Sequence, residues 1–126
     1  MQDEPAPEEL IKAVADFLRS DIAPAISGHN AFKLRVSINA LELVTRQLTL
    51  ESRSDAAEAA RLSRLLGVQG SLTELNRMLA DRIANGEIDL QTPGLADHLW
   101  QTTMAKLAVD QPNYASYKRE LERRDG

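Results

Sequence analysis

The sequence predicts an all-α fold: an antiparallel helical bundle of five helices with a short sixth helix at the C-terminus. Apolar residues recur with the period of an α-helix along most of the chain. Proline and glycine occur at the ends of these periodic segments or between them. The connections between the segments are only a few residues long, which favours antiparallel packing of successive helices.

Length and composition limit the class of protein. The chain has 126 residues, and we predict a single helical domain over 1–126 that is loosely ordered at 1–7 and 123–126. It has no cysteine, which excludes disulfides, thiolate metal sites and thiol nucleophiles. The net charge is −4 and aromatic residues are few, so the chain lacks a basic surface and a stacking platform, and we expect no nucleic-acid partner.

Neither a targeting segment nor a membrane span is apparent. The N-terminal segment MQDEPAPEELI has no basic region followed by an apolar one. No apolar run reaches the roughly 18 residues that a transmembrane helix needs. We therefore expect a cytoplasmic protein with no membrane partner.

The first predicted helix begins at Pro7, which suits the first helical turn because no amide donor is lost there. Its apolar face runs from Leu10 to Ile22, and Pro24 ends it. The loop that follows contains His29. Because no second histidine, cysteine or carboxylate lies at ligand spacing from it, we interpret His29 as a solvated side chain or a helix cap.

The central helix is predicted at about 31–50, where the sequence is apolar on two sides and so belongs inside the bundle. A narrow polar row separates the two apolar sides. This row consists of Arg35, Asn39, Glu42 and Arg46. The polar residues 51–54 are predicted to connect this helix to the next.

The third predicted helix, at about 55–66, is rich in alanine and ends at Gly67. The cations Arg53, Arg61 and Arg64 lie beside it. They form either an anion site or the exposed cations that are usual toward a helix C-terminus, and we favour the exposed interpretation.

The fourth helix is predicted to begin at Ser71, which forms a capping box with Glu74, and to end at the Asn85–Gly86 pair. Arg82 falls within its apolar arc. A cation at that position must either extend its head group to solvent or find a carboxylate.

The fifth helix is predicted from an N-cap at Thr92 to about Gln111, with Lys106 and Asp110 inside its apolar arc. His98 lies at the edge of that arc without a second ligand three or four residues away, which argues against a metal site. After Pro112, the side chains of Tyr114 and Tyr117 suit a last short helix.

The predicted internal charges should converge, because isolated buried charges cost several kcal/mol each. If they meet in a closed network they are structural. If the cluster opens into a cleft, its excess of positive charge calls for an anion. The residues of this polar cluster are Arg35, Asn39, Glu42, Arg46, Arg82, Lys106 and Asp110.

No motif for catalysis is found. The sequence has no phosphate loop, no glycine-rich dinucleotide fingerprint, no zinc-protease motif and no serine nucleophile elbow. We therefore expect no catalytic residue, no cofactor and no metal site, and a protein that is not an enzyme.

Three segments resemble a known family. They are F-x-x-R-V-x-x-N-A-L at 32–41, L-N-R-M-L-A-D-R-I at 75–83 and A-K-L-A-V-D-Q-P-N-Y at 105–114. They are similar to an uncharacterised bacterial domain-of-unknown-function family, over nearly the whole chain. The resemblance implies a small all-helical protein, often encoded beside an acyl-CoA dehydrogenase and an aminoglycoside-phosphotransferase-like kinase. It implies no reaction.

Two functions follow as hypotheses. The first is a non-enzymatic accessory or protein-interaction module, forming a small homo-oligomer and serving the neighbouring dehydrogenase or kinase. A patch of Leu50, Trp100, Tyr114 and Tyr117 is expected to take part in its assembly. The alternative is a protein that binds a small anion or acyl-CoA through the polar cluster, with Glu42 or Asp110 as acid or base in a catalytic version.

Overall fold

The computed structural model describes residues 5–125, which form five α-helices and no strand. The predicted all-α class is confirmed. Within the described residues, no helix is long and apolar enough to cross a membrane. The helices are α1 (Pro7–Phe17), α2 (His29–Leu66), α3 (Leu72–Ala84), α4 (Leu95–Asp110) and α5 (Ala115–Asp125).

The chain divides into two compact units, Met1–Glu51 and Ser52–Gly126. The predictions of one domain and of antiparallel packing throughout stay predictions. Residues 1–7 and 123–126 are predicted to be loosely ordered, and of these, 1–4 and 126 lie outside the described residues. Pro7 begins α1 and residues 123–125 belong to α5, so these positions are helical.

In the first unit, α1 begins at Pro7 as predicted, with Glu8 and Glu9 in its first turn. Beyond Phe17 the backbone widens into a π-helical turn at Leu18–Ile22 and then tightens into a 3-10 turn at Ala23–Ala25. Pro24 lies in this last turn and has no amide hydrogen to donate, so the helical segment ends there, as predicted.

The predicted break at residues 51–54 is wrong, because α2 runs as one helix of 38 residues from His29 to Leu66. The segment contains no glycine or proline, so no backbone feature interrupts the helix. Glu51, Ser52 and Arg53 are exposed. Their polarity therefore reflects contact with solvent and not a turn, and the predicted second and third helices are a single element.

The second unit holds the larger core. Ser71 Oγ accepts a hydrogen bond from the Glu74 amide at 3.1 Å, which confirms the predicted capping box at the start of α3. Gly67 follows α2 with a φ of +73°, a conformation that favours glycine. The core residues come from α2, α3, α4 and the segment before α4. They are Leu62, Leu66, Leu75, Leu79, Ile88 and Leu95.

The predicted start of α4 at Thr92 and Pro93 is wrong by two residues. The N-cap is Gly94, whose φ of +93° lies outside the right-handed helical region, and the helix begins at Leu95. Thr92 closes the preceding turn instead, where its hydroxyl accepts a hydrogen bond from the Asp89 amide at 3.0 Å.

Candidate functional site

The polar row of α2 meets an exposed cation from the end of the first helical segment. Arg19, in the π-helical turn, donates to Glu42 Oε1 from Nε at 3.1 Å and from Nη2 at 2.5 Å. Its Nη2 also lies 3.4 Å from Asn39 Oδ1. Glu42 is therefore paired with Arg19, a residue of the same unit that does not belong to the predicted polar cluster.

A second ion pair extends this edge of the first unit. Lys12 Nζ lies 2.8 Å from Asp16 Oδ2, and both side chains are largely exposed. The hydrogen bond to Asp16, followed by the charge of Asp16, raises the pKa of Lys12. A shallow groove of about 230 Å³ runs between these residues and Glu42 and Arg46. Exposed pairs of this kind contribute little to stability.

The predicted polar cluster is not buried. Arg35, Lys106 and Asp110 are exposed, as is Asn39, so the expectation that these charges lie inside the protein is wrong. Glu42, Arg46 and Arg82 are half-buried. The first four residues of the cluster belong to the first unit and the last three to the second. Their convergence across the units stays a prediction.

Arg82 has partners within its own unit. Its Nη1 donates to the Leu66 carbonyl at 3.2 Å, and its Nε lies 3.9 Å from Glu87 Oε2. The Leu66 carbonyl belongs to the last turn of α2, where carbonyls have no partner within the helix. Arg82 thus stabilises the C-terminal end of α2.

The first unit exposes an apolar surface. Only Ala15 and Ile38 are buried among residues 5–51. Since Arg19 and Glu42 meet along one edge of the contact between α1 and α2, the helical periodicity puts a set of apolar residues along the opposite edge. We call this set the hairpin face. It consists of Leu10, Val14, Phe17, Val44 and Leu48, whose exposed fractions are 53%, 50%, 53%, 39% and 46%.

The expected assembly patch is divided between the units. Trp100 and Tyr114, in the second unit, are exposed by 39% and 49%, whereas Tyr117 is half-buried. The guanidinium of Arg124 lies 5.6 Å from the centre of the Trp100 ring, within cation–π range. Leu50 is half-buried and belongs to the first unit.

In the second unit, α2 and α4 enclose an open groove of about 440 Å³. Each helix lines it with residues spaced i, i+3, i+4 and i+7, which share one helical face. Alanines on α2 and Gly94 at the start of α4 leave the space open. The groove is lined by Ala57, Ala60, Arg61, Arg64 and Leu65 from α2, and by Pro93, Gly94, Asp97, His98 and Gln101 at α4.

Arg61 connects the two walls of this groove. Its Nε donates to His98 Nδ1 at 3.2 Å, its Nη1 to Gln101 Oε1 at 3.3 Å and its Nη2 to Thr102 Oγ1 at 3.3 Å. These bonds use three of the five N–H groups of the guanidinium. Arg61 is therefore held in one orientation by α4.

His98 is the only buried polar residue among those described, with 3% of its surface exposed. Burial, followed by the positive charge of Arg61, lowers the pKa of His98. Because Nδ1 accepts from Arg61, the neutral ring carries its proton on Nε2.

The Nε2 atom of His98 has no hydrogen-bond partner among the described residues. In that part of the chain, every fully buried polar side-chain atom does have a partner. Nε2 must therefore retain contact with solvent. His98 is also one of the residues that line the groove.

The groove has an excess of positive charge. Arg61 and Arg64 line it together with one carboxylate, that of Asp97. Asp97 Oδ2 accepts a hydrogen bond from Gln101 Nε2 at 2.6 Å, and Gln101 also accepts from Arg61. Within the described residues, no group of three or more His, Asp or Glu side chains could hold a metal ion.

From the sequence, Arg61 and Arg64 are interpreted as exposed cations in preference to an anion site, and His98 is not predicted to be functional. The signal that could have identified the groove is the matched spacing of small and polar residues at 57, 60, 61 and 64 and at 94, 97, 98 and 101. These two helical faces are brought together only by the packing of α2 against α4.

The comparison with protein families matches residues 24–114, a range that includes α2, α3, α4 and the whole groove. The resemblance expected over nearly the whole chain thus omits α1 and all of α5. No curated protein and no solved structure matches the chain. Because the family match covers more than half of its residues, the chain belongs to a family described as a domain of unknown function, DUF6285.

Proposed function

We propose that the protein is a non-enzymatic interaction module that self-associates through the hairpin face. The observation that carries this proposal is how little apolar surface the first unit buries. Among residues 5–51 two are buried, whereas the five large apolar side chains of the hairpin face are 39–53% exposed. A two-helix unit with so little core gains stability when another apolar surface covers it.

The exposed apolar area is adequate for such an interface. Five half-exposed side chains of this size present roughly 400 Å² of apolar surface, at the upper end of what monomers usually leave exposed. Burying it is worth about 10 kcal/mol per chain before the costs of association are subtracted. That gain is large enough to hold two chains together.

The charge of the hairpin face favours a second copy as the partner. Charged residues of the same helical rows, Asp21, Lys33 and Glu51, lie toward the ends of the face. The residues that flank its middle are exposed and uncharged, so two identical faces meet there without repulsion between like charges. These residues are Ala13, Ser37, Ala40 and Gln47. Two helical hairpins related by a twofold axis form a four-helix bundle, a common arrangement for self-complementary apolar faces.

The test is to replace Val14 and Val44 together by glutamate. Both valines are substantially exposed, so the chain should keep its helical content. We expect the wild type to be a dimer by light scattering at tens of micromolar and Val14→Glu/Val44→Glu to be a monomer, because a dimer would bury four carboxylates.

The matched control is Leu90→Glu, which adds a charge at an apolar residue of the second unit that is 72% exposed. This variant should remain a dimer. A monomeric wild type, or a double variant that still dimerises, would contradict the proposal.

We further propose that the dimer serves an enzyme encoded beside it. The acyl-CoA dehydrogenase and the phosphotransferase-like kinase implied by the family resemblance are the first candidates. Support would come from co-elution of the purified dimer with one of these proteins in size-exclusion chromatography. Elution of each protein at its own position would argue against this accessory role while leaving self-association intact.

A further inference from the structure

We propose that the groove between α2 and α4 binds a compact organic carboxylate whose body also carries a hydroxyl or ammonium group. The groove is lined wholly by residues 57–101 of the second unit, so ligand binding there does not require self-association through the first unit. Its volume of about 440 Å³ falls within the range that small-molecule sites occupy.

The first indication is His98. A histidine that is 97% buried has lost nearly all of its hydration, yet its Nε2 has no partner among the described residues and the ring lines the groove. A ligand acceptor in the groove can replace the small remaining solvent contact of this N–H with a hydrogen bond.

The second indication is the start of α4. The amide of Leu95 donates to the Thr92 carbonyl and that of His98 to the Gly94 carbonyl. The two amides between them, of Ala96 and Asp97, have no partner within the helix. Gly94 has no side chain to cover them, and its φ of +93° disfavours any other residue. Amides at a helix start attract anions.

The two arginines of the groove have different roles: Arg64 supplies positive charge, and Arg61 holds neighbouring side chains in place. Arg64 is exposed and lines the groove, so its guanidinium can reach an anion there. Arg61 is a positioning residue, because three of its N–H groups hold His98, Gln101 and Thr102 in place.

Asp97 narrows the class of ligand. Its carboxylate lines the same groove, so the two arginines are offset to a single net positive charge, which matches one carboxylate better than a doubly charged phosphate. Only its Oδ2 is bonded to Gln101, which leaves Oδ1 to accept from a ligand hydroxyl or ammonium. Ala57, Ala60 and Leu65 provide an apolar floor for the ligand body.

The experiment is an NMR titration of the full chain with sodium lactate, alanine and inorganic phosphate, at constant ionic strength set with sodium chloride. We expect lactate or alanine to shift the backbone amide signals of Ala96, Asp97 and His98, and phosphate to bind more weakly. Arg64→Met should weaken carboxylate binding about tenfold, the usual effect of losing one charge-assisted hydrogen bond.

Two variants make the result specific. Arg53→Met removes an exposed arginine of α2 that does not line the groove, and it should bind as the wild type does. Ala60→Leu places a larger side chain on the groove floor and should abolish binding without changing any charge. Equal binding by Arg64→Met and wild type, tighter binding of phosphate than of either carboxylate, or no shift with any probe would overturn the proposal.

Discussion

At the scale of single residues, the connection between Arg61 and His98 stands out in the second unit. The sequence predicts Arg61 among exposed cations and His98 at the edge of an apolar arc, but the structure buries His98 and has Arg61 donate to its Nδ1. By contrast, the seven residues of the predicted polar cluster are exposed or half-buried. The position of a charge on one helix does not establish its burial, since the neighbouring helix decides that.

His98 should make the stability of the fold depend on pH. The pKa of His98 lies below its ordinary value of 6.5, first because of burial and second because of the charge of Arg61. Below that ordinary value the unfolded chain binds a proton that the folded chain binds less readily. The free energy of unfolding should therefore fall as the pH drops from about 7 toward about 5.

Urea unfolding across this pH range measures the effect. His98→Gln keeps an acceptor for Arg61 but does not titrate, so its stability should vary less with pH than that of the wild type. His29→Gln removes the other histidine, which is exposed at the start of α2, and should retain the wild-type dependence. Parallel pH profiles for wild type and His98→Gln would show the explanation to be wrong.

At the scale of elements, the continuity of α2 is the main departure from the sequence-based prediction. Local signals for helix ends were reliable at the Ser71 capping box and at Gly67, whereas the Thr92–Pro93 signal was misplaced by two residues. A polar stretch without glycine or proline did not mark the end of a helix. The exposed residues 51–53 continue the helix.

Proline at position 52 tests this continuity. Ser52→Pro would remove the amide donor of an interior helical residue and clash with the carbonyl four residues earlier, at a cost of about 3 kcal/mol. Ser52→Ala, a better helix former at the same exposed position, should leave the stability nearly unchanged or raise it slightly. The measurement is urea unfolding followed by circular dichroism, and a proline variant as stable as the wild type would indicate a loop.

At the scale of the whole molecule, the two units differ in how much apolar surface they bury. The second unit has a core of six buried aliphatic residues, whereas the described part of the first has Ala15 and Ile38. The first unit is thus the part whose stability should depend most on association with another chain.

This difference predicts a melting temperature that depends on protein concentration. If two chains cover the hairpin face of each other, mass action should raise the melting temperature by a few degrees for each tenfold increase in concentration. Val14→Glu/Val44→Glu should melt at the same temperature at all concentrations. Scanning calorimetry over two decades of concentration checks this, and a wild-type melting temperature that does not change would count against assembly.

Four features of the fold could be predicted from the sequence: the all-α class, the capping box at Ser71, the end of the first helical segment at Pro24 and the end of α2 at Gly67. Each of these follows from interactions among residues close together in the chain, namely amide donors, caps and backbone angles. The sequence also pointed to the family, through one segment each in α2 and α3 and one that begins in α4.

The tertiary structure was needed to show which helical faces meet. It paired Arg19 with Glu42, left the hairpin face exposed and brought Arg61 against His98 from 37 residues away. The helical period assigns each side chain a direction around its own axis, but burial and hydrogen bonding depend on what lies opposite. The candidate groove could not be predicted for this reason, because its two walls become one site only when α2 packs against α4.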